Sequence, residues 1–164
     1  MHKMLENFPT AILEAHDYGW IPLHYAAYLG NAEVVELFLE TNISLAYIKD
    51  KEGMSVFHIS AKKGHVGVMK TLITKSLETC ELLDNKDRTA LHLAAKIGNS
   101  KLVKVFLQTL ASEDLINQQD KEGNTPFHLA AMEGRYAILM PLAKDRRIDW
   151  MAMNKEGMST ADII

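Results

Sequence analysis

A histidine recurs at nearly constant spacing, and this recurrence constrains the fold more than any other feature. His24, His58, His92 and His128 are separated by 34, 34 and 36 residues. Each is followed by a glycine six residues later and by an apolar residue eleven residues later. Three landmarks that keep the same phase in four copies indicate a tandem structural repeat. Such repeats fold as a stack in which each unit packs only on its neighbours.

Each copy predicts a turn followed by two helices. A polar turn segment opens the copy, as in DKEG at 120–123, and Asp87 takes the place of glycine in the third copy. A short helix rich in small residues follows, and we expect it to end at its glycine in the left-handed conformation. The second helix carries larger apolar residues, as in LVKVFL at 102–107. Because neither helix is long enough to persist alone, stacking is expected to build one continuous core.

These phrases resemble ankyrin repeats. NTPFHLAAMEG at 124–134 follows the Thr-Pro-Leu-His, Ala-Ala and Gly pattern closely, whereas MSVFHISAKKG at 54–64 lacks the proline and one alanine. The resemblance covers nearly all of the chain and implies an all-α ankyrin solenoid of helix-turn-helix repeats with β-turn or hairpin fingers. Four complete repeats are expected at 17–49, 50–83, 84–119 and 120–153, with partial repeats at 1–16 and 154–164.

The partial repeats predict that the protein continues beyond both ends. The last one places Asp162 at the histidine position and then stops. Solenoid ends normally carry a polar cap, which a chain ending in Ile-Ile does not provide. Within the fourth repeat, Pro141 is expected to kink or shorten the second helix.

The segments between repeats resemble those of the plant ankyrin proteins of the accelerated-cell-death type. Two examples are TNISLAYIKDKEG and SLETCELLDNKD. In that family a cytoplasmic repeat array precedes membrane spans and works in defence and cell-death signalling. The resemblance implies that this chain is the cytosolic region of such a protein, at the plasma membrane or endoplasmic reticulum. The alternative is a soluble ankyrin regulator that occludes a target enzyme or transcription factor.

The composition limits the classes of molecule that this chain is expected to bind. A net charge of −3 gives no general attraction to nucleic acid or anionic lipid. The single cysteine, Cys80, suits a reducing compartment. No apolar run has the 18 or so residues of a membrane helix, so we expect no direct membrane insertion by this chain. On its own the chain is expected to be soluble, cytoplasmic and monomeric.

Four recurring histidines also raise the possibilities of zinc binding and catalysis. Equivalent residues in neighbouring repeats lie about 8–10 Å apart, too far to share one zinc ion with ligand distances of about 2 Å. The sequence also lacks phosphate-binding loops and nucleophile elbows. We therefore expect no metal, no cofactor and no catalytic residues. An enzyme or a small-ligand receptor is the third hypothesis. The resemblance implies instead that these histidines are structural and tie adjacent turns together by hydrogen bonds.

Turn tips and first helices are expected to line a concave face that is open to a protein or peptide partner. The candidate residues on this face are Tyr18, Trp20, Tyr28, Leu29, Met54, Lys62, Lys63, Lys86, Arg88, Lys96, Ile97 and Met132.

The first repeat contributes an aromatic cluster to this face, formed by Tyr18, Trp20, Tyr28 and Leu29. The middle repeats contribute a basic strip, formed by Lys62, Lys63, Lys86, Arg88 and Lys96. Trp20 and Tyr28 are interpreted either as partner anchors or as the cover of an upstream repeat, and both readings stay open. The basic strip is either a docking surface or a solvated face. If the anchor reading holds, replacing Trp20 and Tyr28 by alanine is expected to abolish binding without unfolding the chain.

Overall fold

The computed structural model describes residues 18–110 and 112–164. Within these ranges the chain forms ten α-helices and two 3₁₀ helices, the latter at Ile43–Tyr47 and Leu77–Glu81. Here the only extended pairing is an isolated antiparallel bridge between Met153 and Ser159. The α-helices are α1 Pro22–Leu29, α2 Ala32–Thr41, α3 Val56–Lys63, α4 Val66–Lys75, α5 Ala90–Ile97, α6 Ser100–Thr109, α7 Glu113–Ile116, α8 Pro126–Met132, α9 Tyr136–Leu142 and α10 Thr160–Ile163.

The helices stack in two rows. The first helices of successive copies, α1, α3, α5 and α8, pack side by side, and α10 continues that row. The second helices, α2, α4, α6 and α9, form the other row, and each packs against the first helix of its own copy. The fold is the all-α ankyrin solenoid that the repeat pattern predicts.

The first helices begin as the sequence predicts, and α1, α3 and α5 end at their glycines. In α8 the C-cap is instead Glu133, one residue before the left-handed Gly134. Pro22 and Pro126 occupy the first turn of their helices, where a missing N–H costs no hydrogen bond. Gly30 ends α1 with a φ of 76°, a left-handed conformation. A Cβ at Gly30 would lie 2.6 Å from Nδ1 of His65 in the next repeat, so the glycine also permits close stacking.

The core runs through both rows without a break. Small residues such as Ala27 and Ala94 are fully buried between neighbouring first helices. Phe57 of α3 and Phe106 of α6 are buried and meet edge to face with ring centroids 5.7 Å apart. Burying one such ring stabilises the fold by about 1.5–3 kcal/mol. Cys80 is buried, and burial raises the pKa of its thiol to about 11.

The segments that follow the second helices are alike in the first two copies and differ in the third and fourth. A 3₁₀ helix follows α2 and another follows α4, whereas the short α7 follows α6. Pro141 lies inside α9, which has seven residues where α2, α4 and α6 have ten. The shortened helix agrees with the effect expected of this proline.

Arg147 stabilises the last of these segments. Its guanidinium donates hydrogen bonds to the carbonyl oxygens of Leu107 and Leu110 at the end of α6, at 2.9 and 3.1 Å. The same group pairs with Asp145 at 2.8 Å, and this hydrogen bond lowers the pKa of the Asp145 carboxyl. An arginine of the fourth copy thus caps a helix of the third.

No described helix combines the length and the apolar character that crossing a bilayer requires.

Candidate partner-binding surface

An acidic or amide side chain organises the four turns that begin at Asp50, Asp84, Asp120 and Asn154. Oδ1 of Asp84 accepts hydrogen bonds from the backbone N–H groups of Lys86 and Arg88, at 2.8 and 2.9 Å. Asp50, Asp120 and Asn154 bind the equivalent amides of their own turns. These side chains satisfy turn amides that would otherwise require water, and they hold each tip in one conformation.

Adjacent turn tips are joined by backbone hydrogen bonds. In each pair an amide of the later repeat donates to a carbonyl of the earlier one, at 2.9–3.0 Å. The bonds are Lys51 N–H to Tyr18, Asn85 N–H to Glu52, Lys121 N–H to Lys86, and Lys155 N–H to Glu122. The exposed tip side chains are therefore carried on a row of mutually bonded turns.

The repeated histidines are buried and link their repeat to the next one. Nδ1 of His92 accepts the Thr89 backbone N–H at 3.1 Å, so in the neutral ring the proton lies on Nε2. That Nε2 donates to the Asn124 carbonyl of the following turn at 3.1 Å. His58 and His128 make the equivalent contacts to the carbonyls of Arg88 and Met158. His24 differs, because its Nε2 lies 3.2 Å from the carbonyl of Ile48, just before the next turn.

Burial disfavours the charged form of three of these rings, His24, His58 and His92. The loss of hydration lowers the pKa of His92 to about 4, and it lowers the pKa values of His24 and His58 as well. Across residues 18–110 and 112–164, no group of three or more His, Cys, Asp or Glu side chains could hold a metal ion. The geometry suits hydrogen bonding between repeats.

The first groove of the surface lies between the first and second repeats, with a volume of about 720 Å³, and we call it the aromatic groove. The Trp20 ring lies 5.0 Å from the ring of Tyr25 and 5.3 Å from that of Tyr28, centroid to centroid. Its indole N–H donates to Oδ2 of Asp50 in the next turn at 3.0 Å. Tyr18 and Leu29, 69% and 73% exposed, complete the rim.

Two candidate residues of this groove differ from the sequence expectation. Trp20 is half-buried and packs on the core as well as bonding to Asp50, so alanine there would remove stability together with any anchor. Met54 is only 5% exposed and contributes to the floor of the groove rather than to its surface. Both differences arise because the turn of the second repeat, which contains Asp50 and Met54, lies at the base of the groove.

The second groove continues along the stack over the second to fourth repeats, with a volume of about 650 Å³, and we call it the basic groove. It shares Lys51, Glu52 and Lys62 with the aromatic groove. Its lining adds Asn85, Lys86, Arg88, Leu93, Lys96, Ile97, Glu133 and Arg135. The predicted aromatic cluster and basic strip thus belong to one continuous surface.

The cations of the basic strip are not equivalent. Arg88 forms a two-point pair with buried Asp84, at 2.9 and 2.6 Å, and Lys96 lies 3.6 Å from Glu133. Burial alone would raise the pKa of Asp84, but hydrogen bonds from Arg88 and from turn amides hold it below its usual value. Lys62 and Lys86 are exposed and form no ion pair with any carboxylate in the described ranges.

Two candidates lie outside the linings of both grooves. The Lys63 ammonium sits 4.0 Å from the centroid of the Tyr28 ring, a cation–π contact that supports the aromatic cluster from outside. Met132 is 45% exposed on α8. The sequence reading missed Tyr25 and Arg135, although Tyr25 precedes Tyr28 by one helical turn and Arg135 directly follows a helix-ending glycine.

Comparison with known proteins identifies the repeat. A family model described as ankyrin repeats in three copies matches residues 2–81 and 76–154. The chain belongs to the ankyrin-repeat family. Ankyrin repeats mediate protein binding and are typically non-catalytic, so the chain is a protein–protein interaction module.

One plant protein shows local similarity to this ankyrin chain. Ankyrin repeat-containing protein BDA1 of Arabidopsis thaliana is 37% identical over 51 residues. The alignment covers 31% of this chain and 12% of that protein. The similarity therefore concerns a small part of the relative.

Proposed function

We propose that this ankyrin chain is a non-catalytic scaffold that binds a protein or peptide along the surface formed by its turn tips and first helices. One observation carries the proposal: the aromatic groove and the basic groove are contiguous and share Lys51, Glu52 and Lys62. Concave apolar sites with a few convergent polar groups are where ligands bind. Tyr18, Tyr28 and Leu29 are exposed side by side on the aromatic groove, and contiguous exposed apolar patches mark interaction sites.

A pair of equally exposed residues provides the test. Leu29 on the aromatic groove and Met140 on α9 are both 73% exposed, and both can be replaced by aspartate without burying the new charge. Affinity capture followed by quantitative mass spectrometry would compare Leu29→Asp, Met140→Asp and the unmodified chain. We expect Leu29→Asp to lose the captured partners and Met140→Asp to keep them.

If Met140→Asp loses the partners and Leu29→Asp keeps them, the binding surface lies on the second helices instead. Circular dichroism and thermal melting of both variants must first match the unmodified chain. Partners kept by both variants would contradict the proposal.

The proposed cellular setting is the cytosolic region of a plant membrane protein that acts in defence and cell-death signalling. Support comes from the segments between repeats, which resemble the accelerated-cell-death type, and from the local similarity to an Arabidopsis thaliana ankyrin protein. Apolar stretches of about 20 residues following the repeats in the complete gene product would agree with this setting. Their absence, with the protein in the soluble fraction of a cell extract, would favour the soluble regulator.

A further inference from the structure

We propose that the occupant of this surface is an acidic peptide segment with one apolar anchor, bound in extended form along the repeat axis. The inference rests on the proposed function and specifies the chemistry of the partner. The apolar anchor would enter the aromatic groove, and the acidic side chains would lie over the basic groove.

Charge complementarity selects the acidic part. Six cationic side chains and only two carboxylates line the basic groove, although the whole chain has a net charge of −3. Lys62 and Lys86 lie within it without a carboxylate partner in the described ranges. A local excess of positive charge on an acidic protein attracts negative segments and repels basic ones.

The aromatic groove selects the anchor. Its wall consists of the Trp20, Tyr25 and Tyr28 rings, and the buried Met54 closes its floor. The Trp20 N–H is already bonded to Asp50, so the indole offers its apolar body rather than a donor. A leucine or aromatic side chain fits such a wall and would lose its own hydration there.

The spacing between the two parts follows from the stack. The aromatic groove spans the first two repeats, and the basic groove is centred about one repeat further along. One repeat corresponds to about 10 Å, the packing distance of neighbouring helices. An extended peptide advances about 3.3 Å per residue, so the anchor and the first acidic residue should be about three residues apart.

Selection from a displayed library of random ten-residue peptides, about the length that both grooves span, provides the test. We expect enriched peptides to carry one leucine or aromatic residue and two or more acidic residues about three positions away, in either chain direction. Enrichment of basic peptides, or of none, would overturn the inference. So would displacement of the selected peptides by a single-stranded oligonucleotide, because the surface would then bind polyanions generally.

Two double variants test the mode of binding of one selected peptide. Lys62→Glu with Lys86→Glu reverses the charge in the basic groove, and Lys70→Glu with Lys104→Glu makes the same net change on the exposed sides of α4 and α6. We expect the first pair to weaken peptide binding at least about tenfold, most strongly at low salt. The control pair should change it less than about threefold, and equal losses would contradict the assignment.

The two proposals fail separately. If Leu29→Asp abolishes partner capture but selected peptides lack acidic residues, the binding surface stands and only the partner chemistry is wrong. If Leu29→Asp has no effect on partners or on selected peptides, both proposals fall.

Discussion

The two long edges of the stack follow different rules. Along the turn edge, formed by the turns and the repeated histidines, the same contacts recur. An Asp or Asn folds each turn from Asp50 onward, a backbone bond joins adjacent tips, and a histidine bonds to a carbonyl in or just before the next turn. Along the junction edge, formed by the segments after the second helices, construction varies. The first two copies each carry a 3₁₀ helix of five residues, the third carries the short α7, and the fourth carries the arginine cap of Arg147. The recurring contacts of the turn edge fix how each repeat aligns with the next. The junction edge accommodates segments of different sequence and structure.

The largest expected effect is the loss of one turn-edge histidine. His92→Ala removes a fully buried ring and leaves the Asn124 carbonyl and the Thr89 amide without their partner. We expect the free energy of unfolding to fall by about 3 kcal/mol, measured by urea denaturation.

His65→Ala is the control for this loss. His65 also links two repeats, through the Tyr28 carbonyl at 2.9 Å, but it is only half-buried. Its loss should cost about 1 kcal/mol or less. Equal losses of unfolding free energy at His92 and His65 would show that the turn-edge histidines contribute no more to stability than other contacts between repeats.

A pair of turn glycines separates backbone conformation from repeat contact. Gly53 and Gly157 have φ values of 76° and 73°, but a Cβ at Gly53 would lie 2.6 Å from the Asn85 amide nitrogen, whereas nothing lies within 4 Å at Gly157. Gly157→Ala should lose about 1 kcal/mol through left-handed strain alone. Gly53→Ala should lose about 2–3 kcal/mol, because the contact between tips is also disturbed. Thermal melting of both variants measures these losses of stability. Equal losses would show that the contact between turn tips does not contribute.

Acid should weaken the turn edge before the junction edge. The pKa of His92 is about 4 in the folded protein against an ordinary 6.5, so the unfolded chain binds its proton first as the pH falls. Stability is therefore full above about pH 6.5 and declines as the pH falls toward 4. His92 alone accounts for about 2 kcal/mol between pH 7 and pH 5.

Urea denaturation at several pH values measures this decline. The lowered pKa values of His24 and His58 act in the same direction. His92→Gln should flatten the decline, and an unchanged slope in that variant would contradict the assignment.

The smallest expected effect lies on the junction edge. Arg147→Gln removes the bonds to Leu107 and Leu110, and the half-exposed site limits the loss to about 1 kcal/mol. Arg146→Gln makes the same charge change one residue earlier at an exposed position, and it should be silent in thermal melting. Equal melting temperatures for both variants would show that the cap contributes nothing.

Most of the fold could be predicted because its determinants recur. Glycine and histidine at fixed phase gave the helix ends and the two rows, and Pro141 gave the short α9. The role of Asp50 and its equivalents also had a signal, since an Asp or Asn precedes each of these turn glycines, or Asp87, by three residues.

The contacts that escaped prediction are made by donor side chains that the repeats do not share. The bond from Trp20 to Asp50, the two-point pair of Arg88 with Asp84 and the cap made by Arg147 each occur once. Trp20 and Arg88 stay candidate binding residues, and each makes a bond within the fold that the repeat pattern did not predict.

The row of backbone bonds between turn tips also has a mechanical consequence. Each bond connects one repeat to the next, so a pull on the two ends of the stack loads these bonds in series rather than side by side. Bonds loaded in series break one at a time, and each break frees one repeat while its neighbours stay folded. Under tension this stack should extend in steps of one repeat at modest force, as a compliant spring rather than a rigid rod.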